Sequence, residues 1–229
     1  PLPDDITLVY MLRAYSGTTG SLRICKLIHI IILCIGFDNY RPLLASTLVH
    51  AYGCCSSMPD AQAVFDRLTT KDVTSWNALI AGYAQDGNLN ACLECFEKMQ
   101  AVVGTKPDGV TLLSMFFAFS HSGSVEKGME FFASMSKYGI VPEVKHFGGI
   151  MDALARAGDF RCLESILANM PMQPDVTLWS SLLGACQIHN NKPLAEHVFH
   201  HAVDYDPREA PSYILMSNIY ARGEAKTDV

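Results

Sequence analysis

One short phrase recurs along this chain at nearly regular intervals. Pro-Asp-Asp-Ile-Thr-Leu begins at Pro3, Pro-Asp-Gly-Val-Thr-Leu at Pro107 and Pro-Asp-Val-Thr-Leu-Trp at Pro174. Asp-Val-Thr-x-Trp opens at Asp72 and returns at Asp175. The intervals are multiples of roughly 34 residues, a period of helical repeats. A unit that short cannot bury an apolar face alone, so its neighbours must stack on it to make a core. The turn residues keep the same beat: Gly87, Gly123 and Gly158, then Asn191 and Gly223. Glycine and asparagine tolerate left-handed backbone angles and suit a tight link between two helices.

Each unit divides into two amphipathic helices. Trp76, Leu79, Ile80 and Tyr83 make one apolar stripe at helical spacing, and Leu89, Cys92, Leu93 and Phe96 make the next. The pattern returns in Phe147, Ile150, Met151 and Leu154, in Phe160, Leu163 and Leu167, and in Trp179, Leu182, Leu183 and Cys186. Glu94 and Lys98 stand four apart in the favourable order for an exposed pair. Pro107, Pro142, Pro174 and Pro207 fall at the junctions, where they end helices. No alternating β pattern competes. The expected architecture is all-α, a right-handed α-solenoid of helix-turn-helix repeats.

Composition narrows the function. Of 229 residues, 49% are hydrophobic and 17% charged, so a large core is affordable and charge-driven disorder is excluded. The net charge of −6 leaves no broad cationic surface to hold phosphates without selection. Eight cysteines are too sparse for a disulfide scaffold and suit a reducing compartment. The most apolar run, Leu27 to Phe37, is about half of what a membrane span needs, and is expected to be a buried helix end. Pro1 stands at the first position and no leader comes after it, so the sequence reads as a piece whose address signal lies elsewhere.

The chain resembles the pentatricopeptide repeat family, specifically the plant arrays that alternate long, short and standard repeats. The resemblance rests on five segments. They are Lys71-Asp-Val-Thr-Ser-Trp-Asn-Ala-Leu-Ile-Ala-Gly-Tyr-Ala-Gln-Asp-Gly87, Ala118-Phe-Ser-His-Ser-Gly123, Leu154-Ala-Arg-Ala-Gly158, Leu182-Leu-Gly-Ala-Cys-Gln-Ile-His189 and Leu215-Met-Ser-Asn-Ile-Tyr220. It implies a repeat array over 1–175, with a long unit at 5–41, a short one at 42–72 and a standard one at 73–108. A second long unit comes next at 109–143 and a second short one at 144–175. Residues 176–229 resemble the family's E-type extension, with its second unit cut short. The first long unit departs from the pattern by insertions near Gly17–Gly20 and Asn39–Arg41.

The resemblance implies single-stranded RNA as partner, about one base per repeat. The fifth and last residues of a repeat select the base. Here these are Ser46 with Asp72, which in the family favours guanine, and Asn77 with Asp108, which favours uracil. Leu43 and Thr74 occupy the second position, whose side chain packs on base faces. Gly148 with Asp175 is a weaker pair, and Leu113 with Glu143 matches no good base combination. E-type units serve protein contacts, so Ser180 is not expected to read a base.

The array resembles the site-recognition part of organellar cytidine-to-uridine editing factors. Its location would be mitochondrion or chloroplast. A MORF-type editing factor would bind the long repeats 5–41 and 109–143, and a deaminase would act in trans or continue in a longer chain. Deaminase chemistry needs a His-x-Glu and a Cys-x-x-Cys on zinc. The chain contains no His-x-Glu, so no catalytic residue, metal or cofactor is expected, and it would place RNA rather than modify it. The alternative is a protein-interaction scaffold, which the acidic charge favours.

Several features carry a plainer meaning. Cys92-x-x-Cys95 sits mid-helix and reads as packing rather than metal binding. His197, His200 and His201 share one helix without a thiol or acidic partner. Trp76 and Trp179 head apolar stripes and belong to the core, and the dense Met115–Phe119 run reads as core, with a partner surface as its alternative.

Overall fold

The computed structural model describes residues 3–18, 21–36 and 42–224. Among these residues thirteen α-helices and one 3-10 turn succeed one another with no strand. They are α1 (Asp5–Tyr15), α2 (Ser21–Cys34), α3 (Pro42–Cys54), α4 (Met58–Asp66), α5 (Val73–Gln85), α6 (Leu89–Ala101) and α7 (Gly109–Ser122). Then come α8 (Val125–Ser134), the turn η1 (Met135–Tyr138), α9 (Val144–Ala157), α10 (Phe160–Ala168), α11 (Val176–His189), α12 (Lys192–Tyr205) and α13 (Ala210–Glu224).

The recurring phrase is a helix start. Asp4, Asp72 and Asp175 stand in extended backbone before α1, α5 and α11, and each carboxylate accepts an N–H from three residues on at 2.8 Å. Asp108 accepts the Thr111 N–H in the same way at 2.9 Å. Such a cap satisfies a donor that the helix leaves unpaired and is worth about 1 kcal/mol. Asn88, Asp159 and Asn191 cap the second helices α6, α10 and α12. Gly87, Gly123 and Gly158 take φ of 74°, 68° and 75°, so the predicted turns need their glycines.

Two turn assignments shift. The left-handed residue between α11 and α12 is Asn190 at φ 54°, while Asn191 is the cap of α12. An asparagine pair offers either order, and the cap takes the residue nearer the helix. Gly223 lies inside α13 rather than at a turn.

The apolar run from Leu27 is not a buried helix end. Leu27 and Ile30 are each 54% exposed, and Ile31 and Leu33 are exposed as well. Ser21, Cys25, Ile28 and Ile32 face inward from α2. The helix packs on α1 and α3, so only one of its faces is covered, whatever the hydrophobicity of the rest. Phe37 and the insertion near Asn39–Arg41 lie outside the described residues, as does part of the one near Gly17–Gly20. No described helix is long and apolar enough to cross a membrane.

The chain divides into two compact units, at 1–122 and 123–229. In the first, α1, α3, α5 and α7 lie side by side, while α2, α4 and α6 each pack against the helix before and the helix after. The core runs through Leu8, Leu12, Leu44, Leu48, Leu79, Ile80, Leu112, Phe116 and Phe119, all fully buried. Of the Met115–Phe119 run, only Phe117 turns outward. In the second unit, α9, α11 and α13 form the same kind of row, backed by α8, α10 and α12. Met151, Leu154, Leu182, Leu183, Ala195 and Val198 fill it. Trp76 and Trp179 are buried at the starts of α5 and α11, as expected.

Two glycines let α3 and α5 approach closely. A Cβ on Gly53 would stand 3.0 Å from the Gly82 Cα, which is backbone and cannot swing aside. Alanine in place of a helical glycine gains about 0.5–1 kcal/mol of propensity, but overpacking costs about 1–3 kcal/mol, so the clash wins. Gly53→Ala is therefore expected to lower the unfolding free energy in urea titrations by about 1 kcal/mol. Gly184→Ala in α11, where a Cβ meets nothing within 4 Å, should raise it. Equal gains at both positions would contradict the close approach.

Candidate nucleic-acid interface

The starts of the odd-numbered helices bring together residues about thirty apart in sequence. Asn77 sits one turn into α5, and Asp108 caps the neighbouring helix α7. Because α5 and α7 lie side by side, the Asn77 amide Nδ2 donates to Asp108 Oδ1 at 3.0 Å. The Thr111 hydroxyl donates to the other end of the amide, Asn77 Oδ1, at 2.5 Å. The Asp108 N–H donates to the Thr111 Oγ1 at 3.1 Å, which closes the cluster. The carboxylate accepts only, so it draws the nitrogen end of the amide toward itself. One N–H and one lone pair of Asn77 remain for another molecule, and 8% of its surface stays open.

The structure does not join the other predicted pairs in this way. Ser46 is buried, and its hydroxyl donates back to the Leu43 carbonyl at 3.1 Å, within its own helix. Asp72 caps α5, and the Ser75 hydroxyl turns onto the Asp72 carbonyl at 2.8 Å. A serine hydroxyl reaches less far than an asparagine amide, and at Ser46 it turns back onto its own helix. Gly148 has no side chain to offer, and the Leu178 Cδ1 lies 3.7 Å from where its Cβ would be. Asp175 is engaged as the cap of α11. Glu143 pairs with Lys145 at 3.0 Å, and the lysine's hydrogen bond and charge hold its carboxyl below the ordinary range.

Apolar side chains line the same register. Leu43 is 55% exposed and Thr74 is exposed at the second positions of α3 and α5. Val110 and Ile6, at matching places near the starts of α7 and α1, are also exposed. An exposed leucine, isoleucine and valine at one repeating position are available to pack on the face of a flat ligand.

Two features escape a reading by fifth and last residues. Thr111 belongs to the unit after Asn77, so a tally within one repeat passes over it. Its signal is a hydroxyl three residues after the capping aspartate. The second is Ser180 with Glu209, in the second unit, where the hydroxyl donates to Glu209 Oε1 at 2.9 Å. Burial pushes the Glu209 carboxyl up, but hydrogen bonds from Ser212 and Ser180 outweigh it and leave it below its usual value. Ser180 thus makes the cross-helix contact that Ser46 does not.

A model of the PPR repeat family matches residues 71–121, and one of the PPR repeat matches residues 110–140. The chain belongs to the pentatricopeptide repeat family. It is 36% identical over 228 residues to the pentatricopeptide repeat-containing protein CRR2, chloroplastic, of Arabidopsis thaliana, covering 99% of this chain and 34% of that protein. With the pentatricopeptide repeat-containing protein ELI1, chloroplastic, of the same plant it shares 34% identity over 222 residues, covering 96% and 35%. The chain thus spans about a third of the length of these two relatives. The crystal structure of the pentatricopeptide repeat protein PPR10 from maize superposes with a TM-score of 0.65 at 19% identity, covering 96% of this chain and 32% of that one. PPR10 has also been crystallised with an 18-nt psaJ RNA element. The likeness to PPR10 shows the fold, the α-solenoid expected from the repeats.

Cys92, Cys95 and Cys186 of this pentatricopeptide repeat chain are packing groups. Cys92 and Cys95 are both buried in α6, and burial pushes their thiols up to about 12 and about 11. Burial does the same to Cys186, to about 12. His201 stacks on Trp179 at 5.4 Å and 11°, and His197 meets its edge at 4.7 Å. Among the described residues no three His, Cys, Asp or Glu are placed to hold a metal. At pH 8 a thiol raised to about 12 has roughly a thousandth of the thiolate of an ordinary one. Iodoacetamide at that pH should therefore modify exposed Cys34 in the folded protein, reach exposed Cys162 more slowly because its hydrogen bond to Asp159 pushes the thiol up, and leave Cys92, Cys95 and Cys186 untouched. Peptide mass spectrometry reads this, and early labelling of Cys92 would contradict the packing.

Proposed function

We propose that this chain is a sequence-selective single-stranded RNA-binding module that acts as a site-recognition element in organellar cytidine-to-uridine editing. The observation that carries the reading is the Asn77–Asp108 hydrogen bond across α5 and α7. It offers a flat ligand one largely buried amide with 8% of its surface open, oriented by a carboxylate, on helices whose second positions carry the exposed Thr74 and Val110. A nucleobase edge suits such an amide, because each presents donors and acceptors in one plane. In this reading the repeat boundaries are those inferred from the sequence. The pair at 77 and 108 takes uracil, and the poorer pair at 46 and 72 takes guanine. The relatives whose names carry chloroplastic point to an organelle, as does the name of a further Arabidopsis thaliana relative that carries mitochondrial. A MORF-type factor on 5–41 and 109–143, and a deaminase supplied in trans or by a longer chain, complete the proposal.

A gel shift with short RNAs that differ only at the guanine-uracil step tests this reading. Selective retention of the matching RNA is expected, and Asn77→Ser should move the preference at the second base from uracil toward guanine. With a net charge of −6, few phosphates can be neutralised. The slope of log affinity against log salt should accordingly stay well below the value of about 10 seen for a strongly basic binder. Equal retention of every sequence, or a steep slope, would contradict the proposal.

The second reading is a protein-interaction scaffold. It is favoured by the exposed apolar face of α2, with Leu27, Ile30 and Ile31. No retention of any RNA would favour it.

A further inference from the structure

We infer that Thr111 is a positioning residue that holds the Asn77 amide in one of its two flipped orientations, so that the pair at 77 and 108 discriminates uracil from cytosine. The inference rests on the RNA reading above and adds a third member to the site. An amide side chain is nearly symmetric in shape, and a half-turn about its last bond exchanges nitrogen and oxygen. The exchange matters to a pyrimidine. Uracil carries an oxygen at its 4-position and needs a donor there. Cytosine carries an amino group and needs an acceptor. An amide free to flip serves both bases, whereas an amide held one way serves only one.

Both ends of the Asn77 amide are held. Asp108 Oδ1 takes Nδ2 at 3.0 Å, and the Thr111 hydroxyl gives its proton to Oδ1 at 2.5 Å. Thr111 Oγ1 also lies 3.0 Å from Asp108 Oδ1. That oxygen already accepts from the Asn77 amide and from the Thr111 N–H, so the single hydroxyl proton is better used on Asn77. Thr111 is fully buried, which keeps water from replacing it as the donor. Flipping the amide would set its oxygen against the carboxylate with no donor to meet it, and would force the Thr111 hydroxyl to give up its bond to Asn77 and turn its proton to Asp108 Oδ1. An unmade hydrogen bond in such a place is costly.

The equivalent positions show what the third residue does when the fifth differs. At α5 it is Ser75, whose hydroxyl turns to the Asp72 carbonyl, because Ser46 offers no amide to receive it. At α13 it is Ser212, which donates its N–H to Glu209 at 2.8 Å. Its hydroxyl is buried and makes no hydrogen bond of ordinary geometry, while Ser180 has a single proton to give to Glu209 or to the Val176 carbonyl. Among the described residues, the hydroxyl reaches across to the fifth residue only where that residue is an asparagine.

The test compares the affinity of the protein for two RNAs that differ only in uracil or cytosine at the base facing Asn77. The proteins are the wild type, Thr111→Val, Thr111→Ser and Thr111→Ala, each with a thermal melt. Thr111→Val keeps the shape and removes the hydroxyl. It should reduce the uracil-over-cytosine ratio by about fivefold, the factor one neutral hydrogen bond is worth, chiefly by tighter cytosine binding. Thr111→Ser keeps the hydroxyl and should keep the ratio, whatever its melting temperature. Thr111→Ala suits a helix and reads the same ratio if valine is not accommodated. A merely structural Thr111 would weaken both RNAs together at constant ratio, and that result overturns the inference while leaving the RNA reading standing. A wild type that retains neither RNA, or prefers neither base, overturns the RNA reading and the inference with it.

Discussion

The lateral contact between successive odd-numbered helices is the constraint on which the site depends. Helices α3, α5 and α7 lie side by side, and between α3 and α5 the approach is close enough that a Cβ on Gly53 would stand 3.0 Å from the Gly82 backbone. Only in such contact does an asparagine on one helix reach the capping aspartate of the next, across 31 positions of sequence. The capping aspartate serves twice. It ties off the first turn of its own helix through the N–H three residues on, and it receives the amide of its neighbour. In the proposed reading a modest stabilising device doubles as half of a recognition pair, and the cap holds the aspartate in place.

Much of this is legible in the residues alone, for reasons that differ between elements. The Pro-Asp phrase exposes the period, and each copy marks a helix start because proline closes the preceding segment and aspartate caps the helix after it. The stripes at Trp76 and Trp179 give the core positions directly. The outer face of α2 is misleading, because apolar composition says how much could be buried and not how many neighbours exist to bury it. The turn between α11 and α12 moves by one residue, since two adjacent asparagines can each cap or turn. Pairing Asn77 with Asp108 comes from family resemblance, and the role of Thr111 is invisible because it depends on a hydroxyl belonging to the next unit.

The acidic balance of the chain bears on what kind of ligand the site suits. Asp72, Asp108 and Asp175 stand at helix starts, where the partial positive charge of the unpaired N–H groups offsets them. These carboxylates are thus less repulsive to a nucleic acid than their number suggests, and they contribute geometry more than field. The proposed recognition would depend on edge complementarity and on contact from Leu43, Thr74 and Val110, with phosphate attraction in a minor role.

The three-residue cluster straddles the seam between consecutive units. Asn77 belongs to one, Asp108 closes it, and Thr111 lies beyond the joint. A modular graft cut at the seam would carry the amide and the carboxylate into a new array and leave the hydroxyl behind, to be replaced by whatever the recipient supplies. On the proposed reading the cassette to transplant runs from before Asn77 to past Thr111, and the register of the proposed repeats and the register of specificity are offset by one turn of helix.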